Sequence, residues 1–181
     1  MPNVTFYFEV HQPMRLKRKL YFQDVTDFID WEKNREIFNR VADKCYIPAT
    51  RMFNKLIKTF PELRLSFSFS GTFFEQAEKF RPDVINEFQN IFDTGNVDIL
   101  DETYYHSLAY LINQEEYEFQ IKKHREMIKK YFNYSPSVFR NTEAMYSDDI
   151  AKKAEKMGYN GIIAEGWDKI LQWRSPNFIY N

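Results

Sequence analysis

The side chains able to do chemistry in this 181-residue chain fall into four short polar clusters, each closing a β-branched or aromatic run. They are His11-Gln12, Asp101-Glu102-Thr103-Tyr104-Tyr105-His106, Asn141-Thr142-Glu143 and Glu165-Gly166-Trp167-Asp168. Carboxylates, imidazoles and rings together suit two chemistries. One is glycosidic bond cleavage, which needs two carboxylates across the scissile bond and benefits from rings on the apolar faces of sugars. Tyr104, Tyr105, Trp167 and Trp173 are the candidate rings. The other is metal-assisted hydrolysis, with His11 and His106 joined by a carboxylate, as in a metal-dependent polysaccharide deacetylase. The histidines at 11, 106 and 124 form no His-x-x-x-His or His-Glu-x-x-His pattern, and Cys45 is the single cysteine. No metal or other cofactor is therefore expected. His124 falls on a helical apolar stripe and reads as a packed core histidine. Gly71 and Gly95 stand alone, so no phosphate-cradling loop is present, and no Gly-x-Ser-x-Gly marks a serine hydrolase.

Glu143 has the most telling surroundings. Val138-Phe139-Arg140 reads as a strand, and Ser147-Asp148-Asp149 then reads as an N-cap and acidic first turn, with Ile150, Ala154 and Met157 at helical spacing. Gly158 closes that helix. Glu143 thus belongs in a strand-to-helix loop, where parallel α/β folds carry their chemistry. Arg140, three residues earlier, is expected to hold the Glu143 carboxylate by a charge-assisted hydrogen bond.

The elements that must position these residues alternate along the chain. Strands are expected over 4–10, 63–69, 97–100, 138–140 and 161–164. Helices are expected over 31–45, 48–60, 72–80, 82–92, 113–132 and from Ser147 to Met157. Asn113 and Glu116 resemble a capping box. This βα alternation implies a mainly parallel sheet, doubly wound or closed as a barrel, with the four clusters on one face.

Composition excludes other classes. A hydrophobic content of 44% and an aromatic content of 18% fit a packed core. A net charge of −1 points to neither nucleic acid nor an anionic membrane as partner. No stretch is long enough to span a membrane, no leader precedes the first strand, and one cysteine suits a reducing compartment, so a cytoplasmic protein is expected. After the fifth strand the 17 residues Glu165 to Asn181 are too few for a full helix and sixth strand. An open parallel edge is the consequence, with self-association through it, and residues 1–181 read as a fragment.

The chain resembles glycoside hydrolase family 57. His11-Gln12-Pro13 looks like the family's first signature, Gly95 to Leu108 like its second, and Phe139-Arg140-Asn141-Thr142-Glu143 like its third, as in α-amylase-type members. The resemblance covers essentially the whole chain. It implies an incomplete (β/α)7 barrel of parallel strands with covering helices, of which residues 1–181 are the N-terminal portion. It implies retaining cleavage or transfer on α-1,4-glucans, with Glu143 as nucleophile. His11, Gln12, Glu102, Tyr105, His106, Arg140 and Trp167 are the substrate-binding candidates. The family's general acid/base is an aspartate in an Asp-aromatic-Glu-Thr motif, which these 181 residues lack.

Overall fold

The computed structural model describes residues 5–18, 27–166 and 168–175. Five strands run in parallel: β1 (Phe6–Val10), β2 (Leu65–Phe69), β3 (Val97–Ile99), β4 (Val138–Arg140) and β5 (Gly161–Ile163). Helices α1 (Trp31–Val41), α2 (Ile47–Thr59), α3 (Gly71–Phe80), α4 (Pro82–Phe92), α5 (Gln114–Phe132), α6 (Asp148–Lys156) and α7 (Asp168–Leu171) fill the connections.

Two ladders, β1-β2-β3 and β4-β5, meet at a single parallel bridge between Asp101 and Phe139. There the Asp101 N–H donates to the Val138 carbonyl at 2.9 Å and the Arg140 N–H to the Asp101 carbonyl at 2.9 Å. The spatial order is therefore 1-2-3-4-5. A doubly wound sheet reverses its order partway, so these strands do not have that topology.

The strand sequences alternate because the two sheet faces differ. Phe6, Phe8 and Val10 lie in register with Leu65, Phe67 and Phe69. The β2 residues of this set are buried among Phe73, Phe74 and Phe88 of α3 and α4 and Phe132 of α5. Ring pairs there are mostly tilted or edge-on, such as Phe69–Phe88 with centroids 5.0 Å apart at 82°, the arrangement aromatic quadrupoles favour. The intervening Tyr7, Glu9, Ser66 and Ser68 take the opposite face, where the Tyr7 and Ser68 hydroxyls are 2.7 Å apart.

Local chemistry sets the helix ends. Ser70 caps α3, Asn113 caps α5 and Ser147 caps α6, each accepting from first-turn N–H groups. Gly158 ends α6 at φ +86°, a conformation that costs glycine little. Three details differ from expectation. The pieces expected over 31–45 and 48–60 join without a break through a π-helical turn, Ala42–Tyr46, just before Pro48. Proline has no N–H to donate, and the wider turn takes up the irregular bonding. The capping box is half-formed, because the Glu116 carboxylate accepts from Gln120 instead of reaching back to Asn113. Val4, expected to open β1, lies outside the described residues, and β1 starts at Phe6. No helix among the described residues is long and apolar enough to cross a membrane.

Candidate active site

The carboxyl ends of β1 to β4 deliver one cluster: Glu9 and His11, Ser68 and Ser70, Glu102 and His106, Arg140 and Glu143. His106 is its centre. Its ring stacks on His11 with centroids 4.3 Å apart and planes at 28°. Nδ1 lies 3.1 Å from Glu9 Oε1 and 3.5 Å from Glu102 Oε2, and Nε2 lies 3.5 Å from Glu143 Oε1. The Glu9 contact is close enough for an ion pair but out of line for a hydrogen bond, so Nδ1 keeps unused donor capacity. His11 Nδ1 sits 2.8 Å from Ser70 Oγ.

The two imidazoles are driven apart in protonation. Burial disfavours charge on both. For His11, the neighbouring His106 reinforces burial, and its pKa falls below the usual histidine value. For His106, the Glu102 and Glu9 carboxylates outweigh burial, and its pKa rises. Opposite shifts in a stacked pair disfavour two cations in contact.

Glu102 is fully buried. Its charge is balanced by His106 and by Arg140, whose Nη1 is 3.9 Å away. Arg140 makes its closer ion pair, at 2.8 Å, with Glu9. That corrects the expectation that Arg140 would hold Glu143: the partner is a carboxylate on β1, and Glu143 takes His106 instead. The Glu143 side chain is 76% exposed. Its backbone lies in the left-handed region at φ +57°, as do Ala144 at +53° and His106 at +52°. Backbone strain of this kind costs about 1–3 kcal/mol per residue and gathers at functional sites.

Beside this turn a cavity of about 730 Å³ is lined by Ala144, Met145, Tyr146, Ala164, Glu165 and Leu171, among others. Glu165 thus lines the same cavity as Ala144, the residue after Glu143.

Other expected residues serve elsewhere. The Gln12 amide donates to the Tyr46 hydroxyl at 2.9 Å and its carbonyl takes Arg15, so Gln12 braces the π-helical turn. Tyr104 packs over Gly71, where an added Cβ would lie 2.2 Å from its ring, and donates to Glu75. Tyr105 stacks edge-on against Tyr104 and holds Lys123 of α5. Their described contacts run to α3 and α5 rather than to the imidazole cluster. Trp167 lies outside the described residues. Trp173 is 77% exposed on the segment after α7.

The sequence reading missed Glu9, Ser68 and Ser70 as parts of the site or its support, and named Asp101 in its cluster without giving it a role of its own. The available signal was the alternation Phe-Glu-Val and Phe-Ser-Phe inside β1 and β2, where polar side chains mark a face no helix covers. The rival metal reading placed its ligands at His11 and His106. His11 and His106 stack instead of converging; among the described residues, the donors that converge within 4.8 Å are Glu9, Glu102 and His106. Arg140 already places its positive charge against both carboxylates, so an ion there would compete with a guanidinium.

A parallel α/β sheet whose strand ends gather carboxylates, imidazoles and an arginine defines the class of protein. The family model described as glycosyl hydrolase family 57 matches residues 5–181, and the chain belongs to this family. A Methanocaldococcus jannaschii relative carrying a provisional alpha-amylase name is 42% identical over 98% of this chain, which spans 38% of that protein's length. Among solved structures, the 4-alpha-glucanotransferase of Thermococcus litoralis matches with a TM-score of 0.68 at 17% identity, over 96% of this chain and 24% of that one. A family 57 branching enzyme from Thermococcus kodakaraensis matches with a TM-score of 0.58 at 14% identity, over 78% and 33%. These structural likenesses show a shared fold.

Proposed function

We propose that residues 1–181 form the N-terminal arc of an incomplete (β/α)7 barrel that performs retaining hydrolysis or transfer on α-1,4-glucans, with Glu143 as nucleophile. Sequential parallel strands with a polar inner face suit such an arc. The observation that carries the ligand class is a set of unused polar atoms in one place. Glu102 Oε1, His106 Nδ1 and Arg140 Nη1 are buried without hydrogen-bond partners. An acceptor and two donors within one cluster match sugar hydroxyls, which both donate and accept.

In this reading Glu143 Oε1 or Oε2 attacks the anomeric carbon as the glycosidic bond breaks, leaving a covalent glycosyl-enzyme. Water then completes hydrolysis, or a sugar hydroxyl completes transfer. His106 holds the Glu143 carboxylate from one side, and Glu9, Glu102 and Arg140 take hydroxyls of the sugar. Protonation of the leaving oxygen needs an acid, and the family's motif for it is missing from this chain. General acid catalysis contributes about 10²–10⁴-fold, so natural glucans should turn over poorly on these residues alone. Glu165 is the resident acid best placed as a substitute, by its position beside the Glu143 turn.

An activated donor tests the nucleophile without the acid. In a 5-fluoro-α-glucosyl fluoride, the C–F bond at the anomeric carbon breaks as the Glu143 oxygen bonds to that carbon, and fluoride leaves unprotonated. Intact-protein mass spectrometry should show one added glycosyl unit, located on the Glu143 peptide and absent in Glu143→Gln. Labelling that survives in Glu143→Gln would remove Glu143 from the role. Maltooligosaccharide binding without labelling would favour a non-catalytic sugar-binding face. Reducing-sugar release from starch that is lost in Glu165→Gln would show that the acid is present after all.

A further inference from the structure

Asp101 and His124 are both fully buried, and the reaction as written uses neither. His124 projects from the middle of α5. Its Nδ1 bonds Asp101 Oδ1, and its Nε2 lies 2.7 Å from the Phe69 carbonyl. The Phe69 carbonyl can only accept, so Nε2 donates to it, and the Asp101 carboxylate beside Nδ1 favours a second proton on the ring. The electrostatics agree: burial opposes the charge on His124, but the Asp101 carboxylate outweighs it and the net pKa is raised.

What this ring touches is specific. Phe69 is the residue before Ser70, and Ser70 holds His11. Asp101 is the residue before Glu102, and Asp101 Oδ1 also accepts from the Glu102 N–H at 3.1 Å. Among the described residues, the Asp101 backbone is the one bridge from the β3 end to β4, and through it to Arg140. Its other carboxylate oxygen takes Arg125 Nε at 2.9 Å and the Tyr159 hydroxyl, which ties in the segment before β5. One ring on α5 therefore spans the ends of β2 and β3 and, through Asp101, reaches β4. Each bonded atom is one residue from a member of the sugar cluster.

We propose that His124, acting through Asp101, is the positioning residue of this site: a buried strut that sets the separation between the His11–Ser70 side and the Glu102–Arg140 side, and so the stacking of His106 on His11. It rests on the reading of that cluster as the ligand site, but its test does not need turnover. A merely structural ion pair would stabilise the fold and leave the cluster geometry untouched when removed. A strut would let the cluster drift in a chain that remains folded.

Proton NMR of the imidazoles separates the two. Each ring of the stacked His11–His106 pair lies in the ring current of the other, and with three histidines in the chain His124→Phe leaves those two to be read. The expected result in folded His124→Phe is a shift of both sets of ring-proton signals toward solvent-exposed positions. Unmoved His11 and His106 signals, with only a lower unfolding temperature, would overturn the proposal. If His124→Phe does not fold, His124→Asn and His124→Gln decide it. Asn can keep the Nδ1-type bond to Asp101, and Gln the Nε2-type bond to Phe69. Each should move the signals by less than full loss of the ring, and two variants with wild-type signals would overturn the strut. Titration with maltohexaose then reads the consequence as weaker binding in the same variants. Wild-type protein that shifts as expected but ignores maltohexaose would leave the strut standing and sink the sugar reading instead.

Discussion

The β1–β3 region and the β4–β5 region are both parallel, yet they are built to different standards. Under β1–β3 lies a continuous aromatic core in which Phe38, Phe67, Phe69, Phe73, Phe74 and Phe88 interlock beneath α1 to α4. Under β4–β5 the buried set is small: Ala109, Tyr117, Ile121, Phe139, Ala154 and Tyr159. The three residues of β5 are half-buried. The site straddles the boundary. His11, Glu9 and Glu102 stand on the thick side, whereas Glu143 stands on the thin side in a strained, exposed turn. The difference teaches that the sheet sets Glu9, His11 and Glu102 above its larger core and presents Glu143 from the less supported edge.

Mutations can break that contrast. Phe69→Ala removes a fully buried ring at the centre of the thick core and should cost about 3–5 kcal/mol. Phe139→Ala, against Tyr117 and Tyr159 only among ring partners, should fall at or below the low end of that range. Denaturant unfolding of both variants measures this, and an equal or larger loss for Phe139→Ala would abolish the distinction.

Gly71→Ala and Gly158→Ala sharpen it. At Gly71 a methyl group would strike the Tyr104 ring at 2.2 Å, and overpacking there should cost about 1–3 kcal/mol. At Gly158 nothing lies within 4 Å of an added Cβ, so only the positive φ is penalised, at about 1 kcal/mol. If Gly158→Ala proved the more damaging, the region around β5 would be more tightly constrained than its packing indicates.

At the seam, the His124–Asp101 pair should give stability a pH dependence. The folded pKa of His124 is raised, so between the unfolded and folded values the native state holds a proton the unfolded chain has released. Its contribution is complete below the unfolded value of about 6.5. It is lost as pH rises through the folded value, at no more than about 1.4 kcal/mol per pH unit. His106 titrates in the same direction, so the diagnostic quantity is the difference between wild type and His124→Gln in melting temperature across pH 6 to 9. A wild-type advantage that grows with pH would contradict the raised His124 pKa.

The smallest effect should come from the surface of the thick side. Arg51→Ala breaks the exposed pair with Glu87, 2.8 Å long, and should change stability by less than about 1 kcal/mol. A larger loss would mean that α2 and α4 depend on surface charge as well as on their aromatic faces.

Much of the site was legible because loop chemistry is local. A strand followed by Asn141-Thr142-Glu143 and a Ser147 cap places Glu143 at a strand end wherever the strand lies. His11, Glu102 and His106 follow by the same argument. Arg140 was placed at the right address with the wrong partner. Its sequence neighbour Glu143 was the natural candidate, but partner choice depends on which strand lies across the sheet. Gln12, Tyr104 and Tyr105 show the converse. Their types suit a sugar site, and contacts with Tyr46, Gly71, Glu75 and Lys123 draw them elsewhere.

The sequence by itself determined the parallel βα alternation, the helix caps at Asn113 and Ser147, and the chemical character of the strand-end loops. Each is written in residues within a few positions of one another. Tertiary structure alone decided the order 1-2-3-4-5, the stacking of His11 on His106, the Glu9–Arg140 pair and the upward shift of the His124 pKa by Asp101. Those depend on atoms 23 to 131 residues apart meeting within a few ångströms. Hydrophobic periodicity carries no record of such distances, because it reports which face of an element is buried and not which partner buries it.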